Sequence, residues 1–482
     1  MYTKWNFSFV LKIASQILLY SSFSLLLPVI FSVLFNEALS ITLTYVLIFL
    51  VCFVFSLIGS KLIKVKPYQK YLGLKTIHSL LVVCFVWLIY AVFSSLPFLF
   101  LNNMSFIDAY FETMSSLTTT GLTMIHTYSI PQSLILWRSL LSWFGGVGII
   151  LLAFFGITGR LVYSNKVFSA EGHDRIRPSI KKTVFNIWVI YLFLTFIGFI
   201  LLSAFGMSVF DAVTYSMSAI STTGNGASLA GDLLLHNPYI QLSLVLIMLL
   251  GATSFITHYL FFKKKSFVEY VKDNQMFFML MVVMLSFIFV FIKISNTYTW
   301  PEVLMNLTSL ITGGGFTNWS SSQLLSIGPF FILIGTLIMF IGGSTNSTSG
   351  GIKIDRFILF IKSIFWKIKS IVLPDIANFS QKYKSSLISN RDVRNIYFFI
   401  LIYLLFIIIG TTVLCYNNFG VVESFFEVTA AQSNVGISTG ITNVNLPLTA
   451  KIMLILNMWV GRLEIIPILG MLGMLIQKRK IR

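Results

Sequence analysis

Ten stretches of nearly uninterrupted apolar residues divide the chain, at 13–36, 40–60, 77–101, 132–159, 184–206, 238–262, 276–295, 328–361, 395–416 and 449–476. Each is near or above the ~20 residues that an α-helix needs to cross bilayer hydrocarbon. The pattern predicts ten membrane spans and leaves no room for a soluble domain. The first run, Ile13 to Phe35, is too long for the apolar core of a cleaved signal peptide and reads as a retained helix.

Polar residues and glycines concentrate in four short runs: LTTTGLT (117–123), ISTTGNG (220–226), ITGGGFT (311–317) and QSNVGIS (432–438). Aligned on Gly121, Gly224, Gly315 and Gly436, they share an acid thirteen positions earlier: Asp108, Asp211, Glu302 and Glu423. Three positions before each acid stand Ser105, Ser208, Thr299 and Gly420. Three of these make an S/T-x-x-D/E capping pattern, and glycine is a tolerated N-cap. Each run therefore ends a helix of about 12 residues, roughly 18 Å long, which is about half a bilayer.

The periodicity predicts an all-α polytopic membrane protein. Four direct helix, half-helix, loop, helix repeats surround a pseudo-fourfold pore axis, with two additional N-terminal helices. The expected divisions are 1–70 for the extra helices and 71–165, 166–272, 273–385 and 386–482 for the repeats.

Charge orients the array. Of 482 residues 56% are hydrophobic and 10% charged, with net charge +18. That excess does not require nucleic acid, because the basic residues cluster between spans as the positive-inside rule would place them. The clusters are Lys61 to Lys75, Arg160 to Lys182, Lys263 to Lys272, Lys353 to Arg394 and Lys478 to Arg482. The stretches 102–137, 203–262, 294–352 and 416–450 contain no Lys or Arg and hold all four runs. The runs therefore enter from the non-cytoplasmic side, with both termini cytoplasmic.

A half-helix ending in mid-membrane points its negative dipole end and unpaired carbonyls at the bilayer centre, which suits a cation. Glycines open backbone torsions closed to other residues. Rings of carbonyls can then replace the water around K+. The competing reading, small residues for helix packing, does not account for four runs with matching caps, acids and spacing.

These runs, with WFGGVGII (143–150), GGSTNSTSGGIK (342–353) and GRLE (461–464), resemble the Trk/Ktr/HKT superfamily of potassium transporters, and the two extra spans resemble its TrkH branch. The resemblance covers nearly the whole chain. It implies a K+ filter formed by Thr119, Thr120, Gly121, Thr222, Thr223, Gly224, Gly313, Gly314, Gly315, Asn434, Val435 and Gly436. It also implies a homodimer and a cytoplasmic ring of TrkA-type nucleotide-binding subunits. Gly121, where Na+-favouring members carry serine, implies K+. Gly313 and Asn434 depart from the pattern and are expected to reshape the third and fourth loops, and Gly315 is expected to matter less than Gly121 because Gly313 and Gly314 adjoin it.

Between Gly342 and Gly351 every residue is Gly, Ser, Thr or Asn, poor helix formers, so the span over 328–361 is expected to break there. The resemblance makes this run (Gly342, Gly343, Ser344, Thr345, Asn346, Ser347, Thr348, Ser349, Gly350, Gly351) an intramembrane gate below the filter. Arg462 lies within the last apolar run, where ionisable groups usually face the protein interior. It is the one deep positive charge expected beside the gate, with an ion pair to Glu464 as the competing role.

Cys52, Cys84 and Cys415 lack metal-like spacing, and the five histidines are scattered. No catalytic constellation and no G-x-G-x-x-G or G-x-x-x-x-G-K-[ST] run occurs. The chain reads as no enzyme, without an organic cofactor, in which a nucleotide response would come from a partner. The alternative function is a cation symporter coupled to H+ or Na+. Direct rather than inverted repeats weigh against it.

Overall fold

The computed structural model describes residues 7–63, 76–125, 130–148, 180–226, 229–372, 381–383, 386–463, 465, 467–470 and 473. Lys64 to Lys75, Arg160, Lys166, Arg175, Arg177, Lys384, Glu464 and the basic tail lie outside them.

The two N-terminal spans are α1 (Phe7–Ser21), continued through a 3-10 turn into α2 (Leu26–Leu34), and α3 (Leu39–Leu62). Their lipid-facing side is apolar, with Leu43, Leu47, Leu50 and Val54 exposed. Four units of the same plan follow. The first has α4 (Thr76–Leu101), half-helix α5 (Phe106–Leu117) and α6 (Gln132–Val147). The second has α7 (Ile180–Ala204), half-helix α8 (Val209–Ile220) and the bent pair α9 (Pro238–Ala252) and α10 (Phe255–Lys264). The third has α11 (Asn274–Ile294), half-helix α12 (Trp300–Thr312), α13 (Pro329–Ile341) and α14 (Ile354–Val372). The fourth has α15 (Asn390–Tyr416), half-helix α16 (Val421–Gln432) and α17 (Leu448–Arg462). A two-stranded antiparallel ladder, β1 (Lys382–Tyr383) with β2 (Ser386–Leu387), lies between α14 and α15.

The capping arithmetic sets the half-helices. Ser105 and Ser208 each accept from the backbone N–H of the acid three residues on, Asp108 and Asp211. The Glu302 carboxylate accepts from Thr299 N at 2.9 Å. Three half-helices are 12 residues long and the third is 13. Their exit helices close the ring, because each packs on its own half-helix and on the next one: α6 on α8, α9 on α12, α13 on α16, and α17 on α5.

The exit helices are interrupted, and residues 149–159 of the first predicted exit span lie outside the described ones. Gly148, at φ 105°, caps α6. Residues 238–262 are not one continuous helix: α9 and α10 meet at 96°, where Ser254 starts a new helix by accepting from Ile256 N. The third breaks at Gly342, as the sequence predicts. In the fourth, α17 ends at Arg462, Ile465 follows at φ 62°, and residues 467–470 are helical again.

Candidate ion pathway

All four half-helices end alike. The residue two before each aligned glycine is left-handed: Thr119 (φ 56°), Thr222 (55°), Gly313 (76°) and Asn434 (53°). The next N–H reaches back five residues, Thr120 to Ser115 O (2.8 Å), Thr223 to Ser218 O (2.9 Å), Gly314 to Ser309 O (2.8 Å) and Val435 to Ala430 O (2.9 Å). This is the Schellman bond that closes a helix C-terminus. Gly313 and Asn434 therefore do not reshape their loops. They occupy the left-handed position comfortably, whereas Thr119 and Thr222 are β-branched there, a rare and strained conformation.

Gly121, Gly224, Gly315 and Gly436 follow, all at positive φ (93°, 81°, 67° and 79°). They are partly open, while Thr120, Thr223, Gly314 and Val435 before them are buried. A Cβ on Gly121 would lie 2.0 Å from Thr223 O, on Gly224 2.6 Å from Gly314 O, on Gly315 2.6 Å from Val435 O, and on Gly436 1.9 Å from Thr120 O. The twelve predicted filter residues thus come together as one closed ring of loops in the order one, two, three, four, one. Asn434 Nδ2 ties the last loop to the first by donating to Thr120 Oγ1 at 3.0 Å. A Cβ on Gly315 would also lie 2.3 Å from Thr223 O, so the space at Gly315 is no freer than at Gly121.

Behind the ring are residues that the sequence reading missed. Nine positions before each aligned glycine stand Glu112, Tyr215, Asn306 and Glu427, and each bonds to the segment that follows its loop. Buried Glu112 accepts from Met124 N (2.8 Å) and Thr123 Oγ1 (3.0 Å). Buried Glu427 accepts from Ser438 Oγ (2.7 Å), Thr439 N (2.8 Å) and Thr442 Oγ1 (2.5 Å). Tyr215 donates to Asp232, and Asn306 Nδ2 to Asn318 Oδ1 (3.0 Å). A second count at fixed offset would have found them. A search for acids could not, since only two are acidic.

Buried cations balance the outer half. Arg138 Nε is 2.7 Å from Glu112 Oε1, and Lys451 Nζ is 2.5 Å from Asp108 Oδ1. Both border stretches free of Lys and Arg and are absorbed by pairing. Outside the ring a cavity of about 300 Å³ is lined by Gly224, Gly315, Asp232, His236 and Asn318. His236 Nδ1 stands 3.8 Å from Glu302 Oε1 at this mouth.

On the other side of the ring the 342–351 run lies against the inner ends of the half-helices. Thr348 Oγ1 is within 3.0 Å of Ile220 O and 2.9 Å of Gly251 O. A Cβ on Gly350 would lie 2.1 Å from Ser433 O. Ser344 N donates to Ala252 O (3.0 Å), Asn346 O accepts from Phe255 N (2.9 Å), and Gly343 N donates to Ser349 Oγ (2.9 Å). Asn346 takes φ 56°, a torsion asparagine tolerates. Ser344, Thr348 and Ser349 are buried.

Arg462 meets this run directly. It donates to Thr348 O (2.6 Å) and to Gly145 O and Gly146 O (2.6 and 2.8 Å) of α6. It is not the one deep cation there. Buried Lys353 donates to Ser349 O, so two adjacent carbonyls of the run are each held by a positive charge. The competing Glu464 ion pair falls outside the described residues.

Three comparisons with known proteins bear on this geometry. The family model described as TrkH, cation transport protein, matches residues 48–298 and 277–475. The chain belongs to the TrkH family. An uncharacterized cation transporter of Methanocaldococcus jannaschii is 31% identical over 471 residues, 97% of this chain and 95% of that one. The Trk system potassium uptake protein TrkH of Escherichia coli is 28% identical over 422 residues, 84% and 86% of the two chains. The crystal structure of the potassium transporter TrkH from Vibrio parahaemolyticus superposes with TM-score 0.85 at 27% identity, covering 97% of this chain and 99% of that one. The relatives named here are transporters, not enzymes, and the bundle of long apolar helices is that of a membrane protein.

Proposed function

We propose that the chain takes up K+ across a prokaryotic plasma membrane through the ring of four loops, passively and down the electrochemical gradient. The observation that carries this reading is the closed ring itself. Four half-helices end on it with the same backbone turn, their negative dipole ends converging on one point, and the loop glycines leave no space for a side chain between neighbours. Thr119 to Gly121, Thr222 to Gly224, Gly313 to Gly315 and Asn434 to Gly436 form the filter. Residues 342–351 with Arg462 form the gate below it. The names of the relatives support K+ as the ion.

The basic clusters on one side of the spans support cytoplasmic termini. The exposed cations of the longest connection, Lys362, Lys367, Lys369 and Lys382, support docking of a cytoplasmic TrkA-type nucleotide-binding ring on a homodimer.

The test is purified protein in K+-loaded liposomes, with Rb+ and Na+ influx measured separately and no H+ or Na+ gradient imposed. Rb+ flux well above Na+ flux supports the proposal. Flux that appears only with an imposed H+ or Na+ gradient replaces it with the coupled symporter.

A further inference from the structure

The gate run is not anchored only from the pore side. Thr345, near its start, is held from the cytoplasmic side by two further elements. Its N–H donates to Gln275 Oε1 (2.8 Å), at the start of α11, and its Oγ1 lies 3.1 Å from the same oxygen. That Oγ1 also lies 3.2 Å from Asp355 Oδ2, in the first turn of α14. The other oxygen of the same carboxylate, Asp355 Oδ1, accepts from Tyr383 Oη at 2.6 Å. Tyr383 belongs to β1, in the cytoplasmic connection. Its side chain is buried, and Lys362 Nζ sits 5.1 Å above its ring.

A threonine hydroxyl has one hydrogen to give. Gln275 Oε1 already receives the Thr345 N–H, and Asp355 is the charged acceptor, so the hydroxyl hydrogen belongs with the carboxylate, where the bond is stronger. Burial first, and then the bond to Asp355, hold the Tyr383 phenol well above its usual value, so it stays a donor. The result is an unbroken line of side chains from the ladder of the cytoplasmic connection, through the root of α14, to the gate.

We infer that Tyr383, Asp355 and Thr345 form a latch through which a cytoplasmic protein that moves the β1–β2 ladder releases the gate run. Tyr383 and Asp355 are positioning residues. They touch no ion and act by holding Thr345. Lys362 and Lys382 beside the ladder suit an acidic or carboxylate-bearing face of the partner.

The inference rests on the gate reading above, so its test has a readout independent of flux. Amide hydrogen exchange across 343–351 is measured by mass spectrometry on the full chain in nanodiscs, for wild type, Tyr383→Phe, Thr345→Val and the double variant. Rb+ flux in partner-free liposomes is measured in parallel. Both single changes remove one hydroxyl and no bulk, and monodisperse elution in detergent checks folding. Removing a hydrogen bond to a charged group is expected to speed exchange across the run about tenfold in each single variant. The double variant is expected to be no faster than the faster single, because both cut one line. Flux should rise in the same order.

Unchanged exchange in Tyr383→Phe overturns the latch. So do effects that multiply in the double variant, since they mean that the two hydroxyls act separately. Faster, non-multiplying exchange with wild-type flux keeps the mechanical link but shows that the run is not what limits conduction, which refutes the gate reading instead.

Discussion

Replacing Gly121 with serine tests the ring most directly, because two costs fall on that residue and one can be isolated elsewhere. At φ 93° any residue with a side chain bears a torsional penalty, about 1–3 kcal/mol. In addition, its Cβ would lie 2.0 Å from Thr223 O. Ordinary contact requires that oxygen to retreat by more than ~1 Å, to where dispersion contacts are no longer repulsive. Gly206 has nearly the same torsion, φ 104°, with nothing within 4 Å of its Cβ. Gly206→Ser therefore carries the torsional cost without the displacement.

With a hydrogen bond to a charged group as the yardstick, one misplaced carbonyl is worth about 1.5–3 kcal/mol, or at least a tenfold change in preference. The assay is Rb+ and Na+ influx into liposomes, with thermal stability in detergent alongside. Both variants should lose stability, Gly121→Ser the more, and only Gly121→Ser should lower the Rb+/Na+ ratio, by about tenfold or more. Gly315→Ser should behave like Gly121→Ser. A folded Gly121→Ser protein with the wild-type ratio would refute the placement of these carbonyls around the ion.

The remaining expectations concern buried charges and the cytoplasmic face. Arg462→Gln and Lys353→Met should each raise partner-free Rb+ flux. A unit charge raises the barrier to a cation by about 4 kcal/mol at 4 Å and an effective dielectric of 20, and each change also frees a gate carbonyl; wild-type flux in both folded variants would mean that the run only connects two helices. Lys451→Met leaves Asp108 buried without its counter-charge and should cost about 3–5 kcal/mol of stability, read as a lower melting temperature in detergent, with Lys451→Arg restoring most of it. Replacing Lys362, Lys367, Lys369, Lys382 and Lys384 with glutamine should reduce co-purification of a TrkA-type partner at matched expression, and equal recovery would leave these lysines to membrane orientation alone.

What could be read in the sequence was local. The cap, acid and glycine of each half-helix lie within sixteen positions, and capping chemistry acts over one turn, so Ser105, Asp108 and Gly121 announce a structure they largely determine. The break at 342–351 was legible for the same reason, since ten poor helix formers in a row cannot hold a helix. The bend at Thr253 and Ser254 was not. Two small polar residues inside an apolar run do not signal a break until the Asn346 carbonyl arrives to receive Phe255 N. Arg138 and Lys451 were hidden by their neighbours, because each needs a carboxylate from elsewhere in the fold before its burial makes sense. Lys353 heads a basic cluster in the sequence, and its place beside the 342–351 run depends on the torsions of Gly351 and of Lys353 itself, both at positive φ.

The bond from Asn434 to Thr120 joins residues 314 positions apart, and this sets an order in time. At roughly 5–20 residues per second a ribosome needs about 15–60 s to travel between them. Throughout that interval the first loop has no fourth neighbour and Asp108 has no Lys451. Membrane insertion must therefore shelter a half-finished mouth, with carboxylates awaiting their partners, and the closed ring of loops appears all at once when the last repeat docks against the first.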